Sequence, residues 1–196
     1  MTAGRTNSHQ SSTSWCTPPK YVAVINSFFN NNIELDPCSN EFSLIDAKVC
    51  FSLPYKDGLI EEWNYKTIFV NPPYGADRER GTTIKDWIKK CEEAYQTYHA
   101  EVLALIPVAT NTRHWKDYIF GKATGICFLY DTRLRFMLNG ELDEKGAPMS
   151  CAMVYWGNEV NRFVELFSPY GAAIDMAKHI NANFGSNEKR RTLSPV

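Results

Sequence analysis

The sequence predicts an α/β fold: a mostly parallel twisted sheet with an antiparallel C-terminal part and helices on both faces. Three observations carry this expectation. Short apolar runs alternate with amphipathic stretches of helical spacing between residues 33 and 120. Residues 101–108 (EVLALIPV) are almost continuously apolar, as strands buried on both faces are. Beyond residue 125, apolar runs follow one another in the manner of sequential strands.

In chain order, Ile33–Asp36 (IELD) is a short strand entering a loop, and Thr67–Val70 (TIFV) is a second, halted by Asn71-Pro72-Pro73. Residues 82–99 place Ile84, Trp87, Ile88, Cys91, Ala94, Tyr95 and Tyr98 at spacings of three and four, which is a helix. After the 101–108 strand, residues 112–120 read as helical. Residues 125–130 (GICFLY), 150–156 (SCAMVYW) and 162–167 (RFVELF) read as strands, and 172–184 as a last helix. Residues 1–14, half of them Ser or Thr, read as a disordered polar arm. Residues 185–196 read as a polar basic tail with Lys189, Arg190 and Arg191 in a row. One domain, 15–184, is expected between them.

Composition narrows the function classes. Twenty-one Lys and Arg balance twenty-two Asp and Glu in 196 residues, a net charge of −1, which excludes a polybasic protein gripping phosphate over its whole surface. A local basic cleft remains compatible with that balance. No apolar run reaches the length of a membrane span, and the N-terminus has no signal-peptide core, so the expectation is a cytoplasmic protein without a membrane partner. Cys16, Cys38, Cys50, Cys91, Cys127 and Cys151 include no C-x-x-C pair and no His at a zinc interval; no metal is expected, and the thiols read as reduced core fillers.

The strongest chemical signal is Asn71-Pro72-Pro73-Tyr74-Gly75 at the end of an apolar strand. Two prolines and a glycine also make an ordinary strand-ending turn. Yet the tetrad suits the methylation of a planar NH2 group, whose delocalised lone pair attacks a methyl sulfonium poorly. Two acceptors that hold both N–H bonds favour the pyramidal nitrogen of the transition state. Asn71 Oδ1 and the Pro72 carbonyl are such acceptors, Pro72 and Pro73 contribute no N–H, and Tyr74 offers a flat face to a base taken out of its duplex. Asp36, at a strand's carboxyl end, is well placed for a cationic ligand, with capping of a following helix as the alternative that spacing leaves open.

With these residues, the chain resembles the amino-methylating S-adenosylmethionine-dependent methyltransferases, and more closely the phage-type DNA N-6-adenine methyltransferase (Dam) family. The likeness runs from about Trp15 to Gly157. It rests on Trp15-x-Thr17-Pro18, Leu35-Asp36-Pro37-Cys38-Ser39, Asp57-Gly58-Leu59 with Trp63, Asn71-Pro72-Pro73-Tyr74-Gly75, Leu105-Ile106-Pro107 and Arg133-Leu134-Arg135-Phe136. The resemblance implies a single Rossmann-like methyltransferase domain that transfers a methyl group from S-adenosylmethionine to N6 of a flipped-out adenine in DNA.

It further implies a cofactor site built from Thr17, Pro18, Asp36, Pro37, Ser39, Asp57, Gly58 and Leu59. Asp36 would face the methionine ammonium, Asp57 and Leu59 the cofactor's adenine, and Thr17 and Pro18 would close over the methionine end. Two features depart from the family pattern. The loop after Asp36 has no glycine, and residues 47–56 contain no acid for the ribose hydroxyls, which leaves Asp46 or a backbone group.

On the substrate side, Arg113, Arg133 and Arg135 are candidates for phosphate contact and Phe136 for the second face of a base sandwich. An exposed hairpin with a core phenylalanine explains the last three equally well. The 77–81 segment (DRERG) reads as a lid or a solvated charged loop. The expected partner is DNA and the expected assembly a monomer or homodimer, in a bacterial or phage-infected cell; host protection, regulation and restriction-modification stay open as roles. The same tetrad serves enzymes acting on RNA adenine, cytosine N4 or protein glutamine, and a non-catalytic nucleic-acid-binding module on a decayed methyltransferase fold is the alternative of another class.

Overall fold

A computed structural model describes residues 15–178. The polar arm (1–14) and the basic tail (185–196) lie outside the described residues. The chain runs through β1 (Trp15–Cys16), α1 (Pro19–Phe28), β2 (Ile33–Asp36), β3 (Ala47–Cys50), β4 (Thr67–Val70), β5 (Ala76–Asp77), β6 (Thr82–Thr83), α2 (Ile84–Tyr98), β7 (Glu101–Pro107) and α3 (Arg113–Tyr118). It continues through β8 (Gly125–Leu129), β9 (Met137–Leu138), β10 (Glu141–Leu142), β11 (Cys151–Trp156), α4 (Val160–Phe167) and β12 (Gly171–Asp175).

The central sheet has seven strands in the order β12-β8-β11-β7-β4-β2-β3. The β3–β2, β2–β4 and β4–β7 pairings are parallel, whereas β7–β11, β11–β8 and β8–β12 are antiparallel. The sheet is therefore mixed, with its parallel character confined to one half. The reason is β11, which enters between β7 and β8 and runs against both.

Alternation along the central strands explains the layers. Val102, Ala104 and Ile106 of β7 and Ala152, Val154 and Trp156 of β11 share one core with Trp87, Ile88 and Cys91 of α2 and Trp115 of α3. Leu103 and Leu105, with Met153 and Tyr155, face a second core formed with Tyr21, Ile25 and Phe28 of α1 and Phe163 and Phe167 of α4. Helices thus cover both faces.

Local chemistry fixes the helix ends. The Pro18 carbonyl accepts from the Tyr21 and Val22 amides at 2.9 and 3.1 Å, with Pro19 in the first turn where its missing N–H costs nothing. The Asp86 carboxylate accepts from the Thr83 amide at 2.8 Å and closes the start of α2.

Two elements differ from the sequence expectation. Residues 162–167, expected as a strand, belong to α4: Val160, Phe163, Val164 and Phe167 repeat at helical spacing, and Phe163 and Phe167 are buried. Residues 172–175, expected to open a helix, belong to β12, because the sheet edge at β8 offers an antiparallel partner from Gly125 to Leu129. Helix resumes only at 176–178, and the rest of the expected 172–184 helix lies outside the described residues. Helix α1 and strand β3 were not anticipated.

Candidate active site

Parallel pairing brings the carboxyl ends of β2, β4 and β7 to one edge, with Leu35 opposite Ile68 and Val70 opposite Ala104. Loops leaving such an edge build the ligand site of an open α/β sheet. Asp36 closes β2 and is 4% exposed. A turn, not a helix, follows it, so the capping alternative reduces to a bond from the Cys38 amide to Asp36 Oδ1 at 3.2 Å. Hydrogen bonds from Cys38, Ser39 and Ser43 help its ionised form, but burial outweighs them and raises the carboxyl to about 6. No ion pair among the described residues includes Asp36.

Asn71 follows β4 directly. Its Nδ2 donates to the Trp15 carbonyl at 3.1 Å, which fixes the amide's orientation and leaves Oδ1 as the free acceptor. Pro72 is buried and Pro73 half-buried. Tyr74 donates its hydroxyl to the Leu105 carbonyl at 3.1 Å, and burial holds that phenol well above its ordinary pKa. Its ring stands nearly perpendicular to Trp15 (5.9 Å, 88°) and to Phe136 (5.6 Å, 83°). Trp15 and Phe136 lie parallel at 4.9 Å and 6°.

Beside this edge opens a cleft of about 540 Å³, within the range of small-ligand sites. Pro37, Ser39, Asp57, Gly58 and Pro73, singled out in the sequence, all line it. Thr17, Pro18, Asp36 and Leu59 do not. Thr17 is buried, yet its neighbour Cys16 donates its thiol to Asn40 Oδ1 at 3.0 Å, and Asn40 is part of the wall. Leu59 packs toward the core shared with α2.

The Asp57-Gly58-Leu59 turn is firmly held. The Gly58 carbonyl accepts from Trp63 Nε1 at 2.8 Å and from Lys90 Nζ at 3.1 Å, and Lys90 also reaches the Leu59 and Glu61 carbonyls. A Cβ at Gly58 would overlap the Pro37 carbonyl, so glycine lets the two cleft-forming loops touch. Asp57 Oδ1 accepts from the Leu59 amide at 2.9 Å and pairs with Arg80. Arg80 also faces Asp77 at 3.7 Å, tying the β5–β6 loop across the cleft.

Sequence reasoning missed Phe51, Trp87 and Arg80 as cleft residues. Arg80 lay in the charged 77–81 segment, and its partner Asp57 was the available signal. Phe51 and Trp87 follow the apolar pattern of a core and carried none. Asp46, the candidate for ribose contact, is exposed and does not line the cleft.

The substrate-side candidates lie apart from the cleft wall. Arg133 and Arg135 are exposed on either side of buried Leu134, and Arg135 Nε donates to the Asp143 carbonyl at 2.8 Å. Lys20 Nζ anchors the preceding Asp131 at 2.6 Å, together with the Tyr21 hydroxyl. Phe136 is 1% exposed against Trp15, so a second face for a base is available only if Trp15 moves. Arg113 is highly exposed and pairs with Asp117 at 3.4 Å. None of the six cysteines is in a disulfide, and burial pushes the thiols of Cys127 and Cys151 up to about 12. The described residues contain no group of three or more His, Cys, Asp or Glu able to hold a metal, and no helix long and apolar enough to cross a membrane.

Asn71 and Pro72 stand at the strand end beside this cleft, and Asp36, buried next to the cleft residue Pro37, is a carboxylate in no ion pair among the described residues; such a set has the chemistry to bind a planar amine next to a cationic ligand. Comparison with curated proteins finds no match, nor does comparison with solved structures. A family model described as DNA N-6-adenine-methyltransferase (Dam) matches residues 5–178, most of the chain and all of the site just described. The chain belongs to the DNA N-6-adenine-methyltransferase (Dam) family, the enzymes that methylate adenine in DNA.

Proposed function

We propose that residues 15–184 form one Rossmann-like domain of the phage type whose cleft holds S-adenosylmethionine and whose Asn71–Tyr74 turn holds the target adenine. The residues present fit the cofactor. Pro37, Ser39, Asp57 and Gly58 line a cleft of suitable size, Phe51 and Trp87 give it apolar walls, and Asp36 is a buried carboxylate without a cation. An ammonium brought beside Asp36 would relieve the cost of that uncompensated charge. When bound, S-adenosylmethionine supplies an electrophilic methyl group.

The single observation that supports this reading best is the Asn71 amide. Because Nδ2 is committed to the Trp15 carbonyl, Oδ1 is left to act as an acceptor, beside the Pro72 carbonyl, whose following residue, Pro73, has no N–H. Together they accept both N–H bonds of the adenine amine and favour a pyramidal nitrogen. Tyr74, neutral and tied to Leu105, bounds the base's pocket instead of moving a proton. Rate enhancement comes from positioning and water exclusion, with no covalent enzyme intermediate.

Asn71→Ala tests this. Methyl transfer to DNA, followed with labelled cofactor and nucleoside analysis, should fall by at least about 100-fold, the loss typical for removal of one transition-state hydrogen bond. Cofactor affinity by calorimetry should stay within about threefold. Transfer close to wild type, or labelled product other than N6-methyladenine in DNA, would sink the assignment.

A further inference from the structure

Trp15 belongs to none of the proposed cofactor or substrate contacts, yet it touches both ends of the Asn71–Tyr74 turn. Its carbonyl accepts from Asn71 Nδ2 at 3.1 Å. Its ring lies flat on Phe136 at 4.9 Å and stands edge-on to Tyr74 at 5.9 Å. Its backbone pairs in register with Leu138, which closes the small sheet β1-β9-β10. Its indole N–H is buried without a hydrogen-bond partner among the described residues.

An asparagine amide has two orientations related by a half-turn, with opposite chemistry. One presents an acceptor to the substrate; the other presents NH2, which repels the amine it should hold. The choice rests on the Trp15 carbonyl, because that acceptor can be satisfied only by Nδ2. The carbonyl is held by the ring: a stacked aromatic pair resists both sliding and tilting, and Phe136 is itself fixed in the core. The unpaired indole N–H marks the cost of this arrangement, since a buried donor without a partner destabilises the fold.

We propose that Trp15 is a positioning residue for the methyl transfer: through its carbonyl, clamped by the Trp15–Phe136 stack, it selects the Asn71 amide orientation in which Oδ1 accepts from the substrate amine. This rests on the assignment of Asn71 as a substrate acceptor. It also gives the β9–β10 segment a second task. The same hairpin that carries the strand opposite Trp15 follows Arg133 and Arg135, so DNA contact at these arginines and the orientation of Asn71 are joined through one small sheet.

The proposal makes a coupling prediction that a merely structural tryptophan does not. Trp15→Ala should lower kcat by about 10- to 100-fold, the scale of a misplaced acceptor, with KM for cofactor and DNA within about threefold. Trp15→Phe, which keeps the stacked face and deletes the unpaired N–H, should recover most of kcat. In the background of Asn71→Asp, both side-chain oxygens are acceptors and orientation no longer matters. There Trp15→Ala should cost less than about threefold.

Phe136→Leu supplies the same comparison with Trp15 in place, and carries the test if Trp15→Ala fails to fold. Equal losses in the Asn71 and Asn71→Asp backgrounds, or no recovery in Trp15→Phe, overturn the proposal. Persistent activity of Asn71→Ala overturns instead the acceptor assignment on which it rests, so the two failures are distinct.

Discussion

Replacing Asp36 by Asn should stabilise the unliganded protein while removing its affinity for the cofactor. The carboxyl sits in a shell of thiols and hydroxyls, with Cys16, Cys38 and Cys50 all raised in part by its charge, and burial lifts it to about 6 from an ordinary 3.8. A carboxyl raised on folding binds its proton more tightly in the native state. Its contribution to stability is therefore fully present below 3.8 and is lost as pH rises through 6. At pH 7 the ionised group costs the fold about 3 kcal/mol. Asn keeps the oxygen that accepts from the Cys38 amide and discards the charge. Allowing for a weaker hydrogen bond, the gain is about 2 kcal/mol, or about 4–8 °C in Tm for a chain of this size.

The difference should shrink below about 1 kcal/mol by pH 4, where wild-type Asp36 is protonated in the folded state and only about half ionised in the unfolded one. Calorimetric melts of both proteins between pH 4 and pH 8 measure this directly. Titration with S-adenosylmethionine at pH 7 should show affinity lowered at least about 30-fold, the effect of removing one partner of a desolvated charge pair. If Asp36→Asn melts at or below wild type at pH 7, or binds cofactor within about threefold of it, the reading of Asp36 as a strained, ligand-waiting carboxylate is wrong.

Gly58→Ala forces a methyl group onto the Pro37 carbonyl and against Trp87, so it should cost at least about 2 kcal/mol and weaken cofactor binding in parallel; an unchanged melt and affinity would contradict the close approach of the two loops. DNA affinity should fall steeply between 50 and 200 mM salt. Arg113→Ala, at a highly exposed position, should reduce the slope of log affinity against log salt by about 1 without moving Tm, and an unchanged slope would remove Arg113 from the phosphate contacts.

The site was legible where local chemistry has few alternatives. Asn71-Pro72-Pro73-Tyr74 after an apolar strand leaves little choice of conformation, and Asp57-Gly58 lies where only a glycine permits contact with Pro37. What escaped depends on partners far away in sequence. The charge of Arg80 acquires meaning only beside Asp57, and Trp15 only beside Asn71 and Phe136. The fold was legible to the same degree. Continuous apolar runs gave β7, β8 and β11, but Gly171–Asp175 (GAAID) has weak strand character and is a strand because β8 has a free edge. In α4 the apolar residues are dense enough to hide a period of 3.6 in a run of eight. Pro18-Pro19 ahead of Tyr21, Val22, Val24, Ile25 and Phe28 was a readable helix start that went unread.

The insertion of β11 between β7 and β8 bears on the chain's birth as well as its shape. As synthesis proceeds, β7 and β8 emerge well before Cys151–Trp156, the strand that must lie between them. Until then each presents an open edge of unpaired amides and carbonyls, and the core around Leu103 still lacks Met153, Tyr155 and the Phe163 and Phe167 of α4. The nascent protein thus passes through a stage in which half its sheet is sticky and the Leu105 carbonyl that holds Tyr74 is not yet backed by Met153. A ribosome stalled before residue 151 would carry a chain that contains the Asn71–Tyr74 turn but lacks the central strand that consolidates its support, and such a chain should recruit chaperones in preference to cofactor.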